Sequence, residues 1–219
     1  MNSVTLREEE TVVVLLAAGE GRRFGALKQL AIIDGEPMVR RVARRLSQLR
    51  RPVLVITGAD GHAVAHALAG LSVTCVPNRD WREGLGASLG AGIRAVCERF
   101  PDASAALVCL ADHPLLDVRA LQTMLERHAQ EPGRIFAADH AGMPGPPVLF
   151  PADCFSELSA WHGAEGAQAW LRQQGMRVER MPLDVTDIDT PADLARAQRQ
   201  LAQQRERTNI AWTSTDDGK

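Results

Sequence analysis

The stretch Val12-Val-Val-Leu-Leu-Ala-Ala-Gly-Glu-Gly-Arg-Arg-Phe-Gly-Ala-Leu-Lys28 decides the fold. Its apolar half reads as a buried strand. Its second half is a turn in which Gly19, Gly21 and Gly25 permit positive φ and close backbone approach, while Arg22, Arg23 and Lys28 supply cations. Such a loop suits a triphosphate. Backbone N–H groups cradle the oxygens, and a positioned lysine or arginine holds charge that builds on departing pyrophosphate. The Gly-Lys-Ser/Thr ending of a Walker loop is missing, and the glycines do not have GxGxxG spacing. A flexible surface turn would explain the glycines but not the cations clustered behind a buried strand.

Outward from that stretch, apolar runs at Thr11–Ala17, Pro52–Thr57, Leu71–Val76, Ala105–Leu110, Ile135–Ala138 and Val148–Phe150 read as strands. Helical patterns fill the gaps at Met38–Leu49, His62–Ala69, Gly86–Phe100, Val118–Gln130, Gly166–Gln173 and Pro191–Arg205. The first of these has Val39, Val42, Ala43 and Leu46 on one face and a row of arginines on the other, read as a solvated outer face. The alternation predicts one α/β domain, a Rossmann-like three-layer α/β/α sandwich around a mostly parallel sheet. Active residues then belong at the carboxyl ends of strands.

The 219 residues fill one core, so the expected organisation is an extension at 1–10, a domain at 11–205 and a disordered tail at 206–219. A net charge of −2 and only nine aromatic residues give no reason to expect nucleic acid or an anionic membrane as partner. Cys75, Cys97, Cys109 and Cys154 have neither CxxC nor zinc spacing and read as reduced, mostly buried thiols. Glu8, Glu9 and Glu10 precede the first apolar run, opposite to a signal peptide's basic start, and no run approaches the roughly 20 residues that span a bilayer. The sequence is read as that of a cytoplasmic protein.

Three further segments carry chemistry. Asn78-Arg-Asp-Trp-Arg-Glu-Gly-Leu-Gly-Ala-Ser-Leu-Gly90 follows a strand and opens a helix, whose free N–H groups suit an anion. Ala105-Ala-Leu-Val-Cys-Leu-Ala-Asp-His-Pro-Leu-Leu116 ends a buried strand in Asp112, where a carboxylate is well placed for Mg²⁺; capping of the next turn is the plainer role. His113 reads as a satisfied or exposed histidine rather than a base. Asp184-Val-Thr-Asp-Ile-Asp-Thr-Pro-Ala-Asp-Leu194 adds a second carboxylate cluster, in which helix capping accounts for Thr190 and Pro191 but does not require Asp187 and Asp189.

Leu16-Ala-Ala-Gly-Glu-Gly-Arg-Arg-Phe-Gly-Ala-Leu-Lys28 resembles, without a gap, the LAAGxxxRxGxxK signature of the molybdenum cofactor nucleotidylyltransferases, within the nucleotide-diphospho-sugar transferase-like fold. Further matches follow in the family's order through residue 198: Asn78 to Ser88, the Asp112 element, Gly142-Met-Pro-Gly-Pro-Pro-Val-Leu-Phe150 and Asp187-Ile-Asp-Thr-Pro191. The resemblance implies that Leu16, Ala17, Ala18, Gly19 and Gly21 form the nucleotide segment, with Ala17 to Gly19 bordering base and ribose. It implies that Arg23 and Lys28 contact phosphates and act with Asp112 in catalysis, and that Asn78 and Ser88 line the groove. Asp189 would complete a Mg²⁺ site with Asp112. Gly84, Gly145 and Pro147 would lie toward the acceptor, the last two in a loop closing over the pterin side.

Ala-Ala-Gly is typical of cytidylyl-transferring members and Ala-Gly-Gly of guanylyl-transferring ones, so Ala18 favours CTP. The implied partners are therefore CTP, a molybdopterin-type cofactor, and a recipient molybdenum enzyme or its chaperone. Pro146, Ala164 and Gln168 depart from the family pattern on the acceptor side. GTP-using, isoprenoid or sugar-phosphate nucleotidylyltransferases, and a non-catalytic cofactor carrier, are the alternatives.

Overall fold

The computed structural model describes residues 11–213 apart from Arg22, Arg23 and Ala26, with side chains as far as Glu206. The N-terminal extension and Arg23 lie outside the described residues. The chain opens with β1 (Thr11–Ala17), a short hairpin of β2 (Ile32–Ile33) and β3 (Glu36–Pro37), then α1 (Met38–Leu46), β4 (Val53–Thr57), α2 (Gly61–Ala67) and β5 (Thr74–Pro77). It continues with α3 (Leu85–Arg99), β6 (Ala105–Leu110), α4 (Val118–Gln130), β7 (Ile135–His140) and β8 (Met143–Pro151). The last elements are α5 (Phe155–Ser159), α6 (Gln168–Gln173), β9 (Val178–Met181) and α7 (Pro191–Thr213).

Seven strands form one sheet in the order β5-β4-β1-β6-β8-β7-β9. Only β8 runs against its neighbours; the other pairings are parallel. Every residue of β1 is buried, and the two-residue period of a strand divides them between two cores. Val13, Leu15 and Ala17 pack with α1, α2 and α4, while Val12, Val14 and Leu16 pack with α3, α5 and α6. That is the predicted three-layer sandwich. A third cluster joins Ile33 and Met38 to Ile188, Ala197 and Leu201, fastening α7 over the hairpin.

Chain order explains where a site can form. From β1 the chain moves outward to β4 and β5, then returns to β6 on the other side of β1. The carboxyl ends of β1 and β6 therefore flank the point where the winding reverses, the usual crevice of open α/β sheets.

Four expectations need correction. Residues 143–151 form β8, not a loop, because Ala141 and Gly142, both at positive φ, make a two-residue hairpin turn after β7. Gly145 and Pro147 thus sit in a strand. Val178-Glu-Arg-Met181, with two charged residues together and no two-residue alternation, hid an edge strand that pairs with β7. The α1 arginines are not simply solvated: Arg41 Nε donates to Pro114 O at 3.1 Å, Arg45 Nε to Leu116 O at 2.7 Å, and Arg40 Nη1 to Ala67 O at 2.8 Å. Arg41 and Arg45 hold down the loop that leaves Asp112, and Arg40 ties α1 to the end of α2. The last helix runs to Thr213, past Arg205, the expected end of the helical pattern.

The start of α7 is a reciprocal cap. Thr190 Oγ1 accepts from Asp193 N at 3.2 Å, and Asp193 Oδ2 accepts from Thr190 N at 2.7 Å and Asp189 N at 3.2 Å. Hydrogen bonding from the Thr190 side chain, with its backbone and that of Asp189, holds the Asp193 carboxyl below the ordinary range. Asp193→Ala is expected to lower the urea-unfolding midpoint at neutral pH. The difference should shrink on acidification, since a depressed carboxyl contributes above its unfolded pKa and ceases to as pH falls through the folded one.

Candidate active site

At the end of β1, Ala111 N donates to Leu16 O at 3.0 Å and Ala59 N donates to Ala18 O at 3.2 Å, tying the first strand's exit to its neighbours. Beside this seam opens a cavity of about 470 Å³. Leu16 to Gly21, Lys28, Gln29, Ser88, Asp112 and Asp189 line it, with Trp81, Arg82, Gly84 and Ala164 across from the loop. Most residues singled out in the sequence thus converge on one space of ordinary ligand-pocket size.

Its charged centre is compact. Lys28 Nζ donates to Asp112 Oδ2 at 2.6 Å and to Asp189 Oδ1 at 2.9 Å. Asp112 stands just past β6 on the parallel ladder. Asp189 reaches it because Ile188 is fully buried and Ile188 N donates to Asp112 O at 3.0 Å. With Ile188 plugged into the third core cluster, its neighbours Asp187 and Asp189 are both brought to Asp112.

Burial disfavours the Lys28 ammonium, but the charges and hydrogen bonds of Asp112 and Asp189 outweigh it and raise the pKa above the ordinary 10.5. Lys28 therefore favours the folded chain fully below that ordinary value, and the contribution is lost as pH rises through the raised one. The chain has one other lysine, Lys219, and no tyrosine, but its four thiols, raised by burial, also titrate in the alkaline range, so Lys28 is read by comparison with a variant. Urea unfolding from neutral pH into the alkaline range should show a loss of stability that Lys28→Arg, which stays charged, moderates.

Gln29 is buried, and its Nε2 donates to Gly19 O at 2.9 Å, fixing the glycine turn from behind. Sequence reasoning gave it no role; its place beside Lys28 was the available signal. Gly58 lets Trp81 close against β1's exit: a Cβ there would lie 2.6 Å from Ala18 O and from Trp81 Cβ. Gly84, at φ +123°, would place a Cβ 2.5 Å from Ala164 Cα.

Three expected residues stand outside the cavity lining. Asn78 is buried behind it, donating from Nδ2 to Ser88 Oγ at 3.2 Å and accepting at Oδ1 from Asp80 N at 3.0 Å, which suits it to shape the wall. Gly145 and Pro147 lie on β8. There Gly145 makes room for His140, whose Nε2 donates to Pro146 O at 2.7 Å.

His113 is neither exposed nor conventionally satisfied. It is 1% exposed, its Nε2 abuts Asp187 Oδ1, and it stands 3.8 Å from Asp112 Oδ1. The imidazole holds the Asp187 carboxyl below its usual range against the opposing effect of burial. Asp112, His113 and Asp187 offer ligand atoms all within 4.8 Å of one another, a group able to hold a divalent cation.

A glycine-rich turn, one lysine and two carboxylates at the reversal point of a Rossmann-like sheet define a nucleotidyltransferase. The chain belongs to the MobA-like NTP transferase domain family, which it matches over residues 13–178. It is 33% identical to the nicotine blue oxidoreductase of Paenarthrobacter nicotinovorans over 83% of this chain and 90% of that one. It is 32% identical to the molybdenum cofactor guanylyltransferase of Rhodobacter capsulatus over 87% of this chain and 96% of that one. A nucleotidyl transferase from Methanothermobacter thermautotroptrophicus shares the fold, with a TM-score of 0.75 at 20% identity, covering 89% of this chain and 99% of the other. No helix among the described residues is long and apolar enough to cross a membrane.

Proposed function

We propose that the chain transfers the nucleoside monophosphate part of a nucleoside triphosphate to a phosphorylated acceptor, with a molybdopterin-type cofactor as that acceptor. The convergence of Lys28, Asp112 and Asp189 beside the glycine turn carries this reading. An acceptor phosphate oxygen forms a bond to the α-phosphorus as the bond from that phosphorus to pyrophosphate breaks. A phosphate nucleophile is already anionic and needs no strong protein base, so positioning and charge neutralisation supply most of the catalysis.

The residues fit Mg²⁺. Two carboxylate oxygens, Asp112 Oδ2 and Asp189 Oδ1, already meet at one cation, the Lys28 ammonium. Asp112 and Asp189 would hold the ion, which when bound supplies neutralisation of phosphate charge. Lys28, kept charged by its surroundings, is placed to bind phosphate oxygens of the departing pyrophosphate. The backbone of Ala17 to Gly21, braced by Gln29, borders the nucleotide. Arg23 is assigned to the phosphates by its place in the same motif.

Two observations divide the choice of base. Ala18 supports CTP, and the guanylyltransferase relative supports GTP. Ala18→Gly, which restores Ala-Gly-Gly, tests whether this position selects. If it does, the ratio of kcat/KM for GTP to that for CTP should rise by about tenfold, a difference of about 1.4 kcal/mol. An unchanged ratio would place selection elsewhere on the cavity wall.

A further inference from the structure

Asp112 faces two ways. Its Oδ2 meets Lys28 inside the cavity, while its Oδ1 turns toward His113 and Asp187. His113 is 1% exposed; its Nε2 is in close contact with Asp187 Oδ1, and its Nδ1 has no hydrogen-bond partner. A proton shared between His113 Nε2 and Asp187 would still leave Asp112 Oδ1 buried without a donor, which is costly. One cation seated among the three would satisfy that oxygen as well. The Asp187 side chain is 55% exposed and offers a way in from solvent.

We propose that Asp112 Oδ1, His113 Nε2 and Asp187 Oδ1 form a second cation site, selective for a later first-row dication of the Zn²⁺ or Co²⁺ kind. Two carboxylates match the ion's charge, and an imidazole nitrogen favours these metals over Mg²⁺, which prefers an all-oxygen octahedral shell. Donors around a four-coordinate ion at ~2.0 Å stand roughly 3.3 Å apart. Asp187 Oδ1 now abuts His113 Nε2 while Asp112 Oδ1 stands 3.8 Å from that nitrogen, so seating an ion requires Asp187 to swing off the imidazole and toward Asp112, a movement its exposed side chain allows. Three protein ligands leave a position open to water or a ligand oxygen. The cavity-facing pair, Asp112 Oδ2 and Asp189, is the side assigned to Mg²⁺, so Asp112 would bridge the two sites.

The site is independent of which nucleotide is used, or of any transfer at all, and is tested on the metal-free, tag-free full chain without nucleotide. Calorimetric titration with Zn²⁺ should show one equivalent bound, undisplaced by a large excess of Mg²⁺. Co²⁺ should give the intense visible absorption of a four- or five-coordinate ion. His113→Gln and Asp187→Asn should each weaken Zn²⁺ by at least about tenfold and abolish the Co²⁺ band, with circular dichroism unchanged. Should His113→Gln fail to fold, Asp187→Asn, altered at a half-exposed side chain, carries the test. Zn²⁺ binding that is absent from the wild type, undiminished in Asp187→Asn, or displaced by Mg²⁺ overturns the proposal.

Discussion

Asp112→Asn lowers nucleotidyl transfer by roughly a thousandfold or more while the protein still folds, the scale expected when a preorganised charge at a phosphoryl-transfer site is removed. The substitution keeps shape and volume but withdraws the negative charge that holds Lys28 and, in the proposed mechanism, the metal. Asp112 belongs to both the cavity and the His113 group, so no other side chain replaces it. Steady-state kinetics at saturating nucleotide and metal should place the loss in kcat. A variant within about tenfold of the wild type would remove Asp112 from the catalytic centre.

Ile188→Ala is expected to be the most damaging change remote from any ligand. Ile188 is fully buried against Ile33, Met38, Ala197 and Leu201, and truncation of such a side chain costs about 2–5 kcal/mol. The loss should also reach function, because Ile188 sets the positions of Asp187 and Asp189 on either side of it. Urea unfolding should give a lower midpoint with an unchanged slope. Under conditions where the variant is fully folded, its apparent KM for the metal should rise. Wild-type stability in Ile188→Ala would show that Ile188 does not anchor the segment.

Much of this was legible in the sequence because it is local. The strand before Gly19 and the Thr190-Pro191 helix start are specified by neighbouring residues and form as expected, and Gly19, Gly21 and Lys28 line one cavity. Asp112 was readable as the carboxylate at the end of a buried strand. What could not be read depends on segments distant in the chain. His113 acquires a partner only when Ile188 docks and brings Asp187 beside it, and nothing in Asp-His-Pro signals that. Similarly, Arg41 and Arg45 follow the pattern of an exposed helical face, yet the loop after β6 passes close enough for them to grip Pro114 and Leu116. By resemblance the Gly142–Phe150 segment is expected to be a loop running into a strand at Val148, whereas the two-residue turn at Ala141-Gly142 lets the strand begin at Met143.

The measurement that tests the central claim most directly is pyrophosphate release by the purified protein with molybdopterin cofactor and Mg²⁺, comparing CTP, GTP and ATP, with Asp112→Asn as control. Nucleotidyl transfer at this site predicts release that needs both nucleotide and acceptor, favours one nucleotide, and disappears in the variant. Nucleotide binding without release from any of the three, with the acceptor shown to be intact, would contradict it and mark the chain as a carrier or as an enzyme for another acceptor.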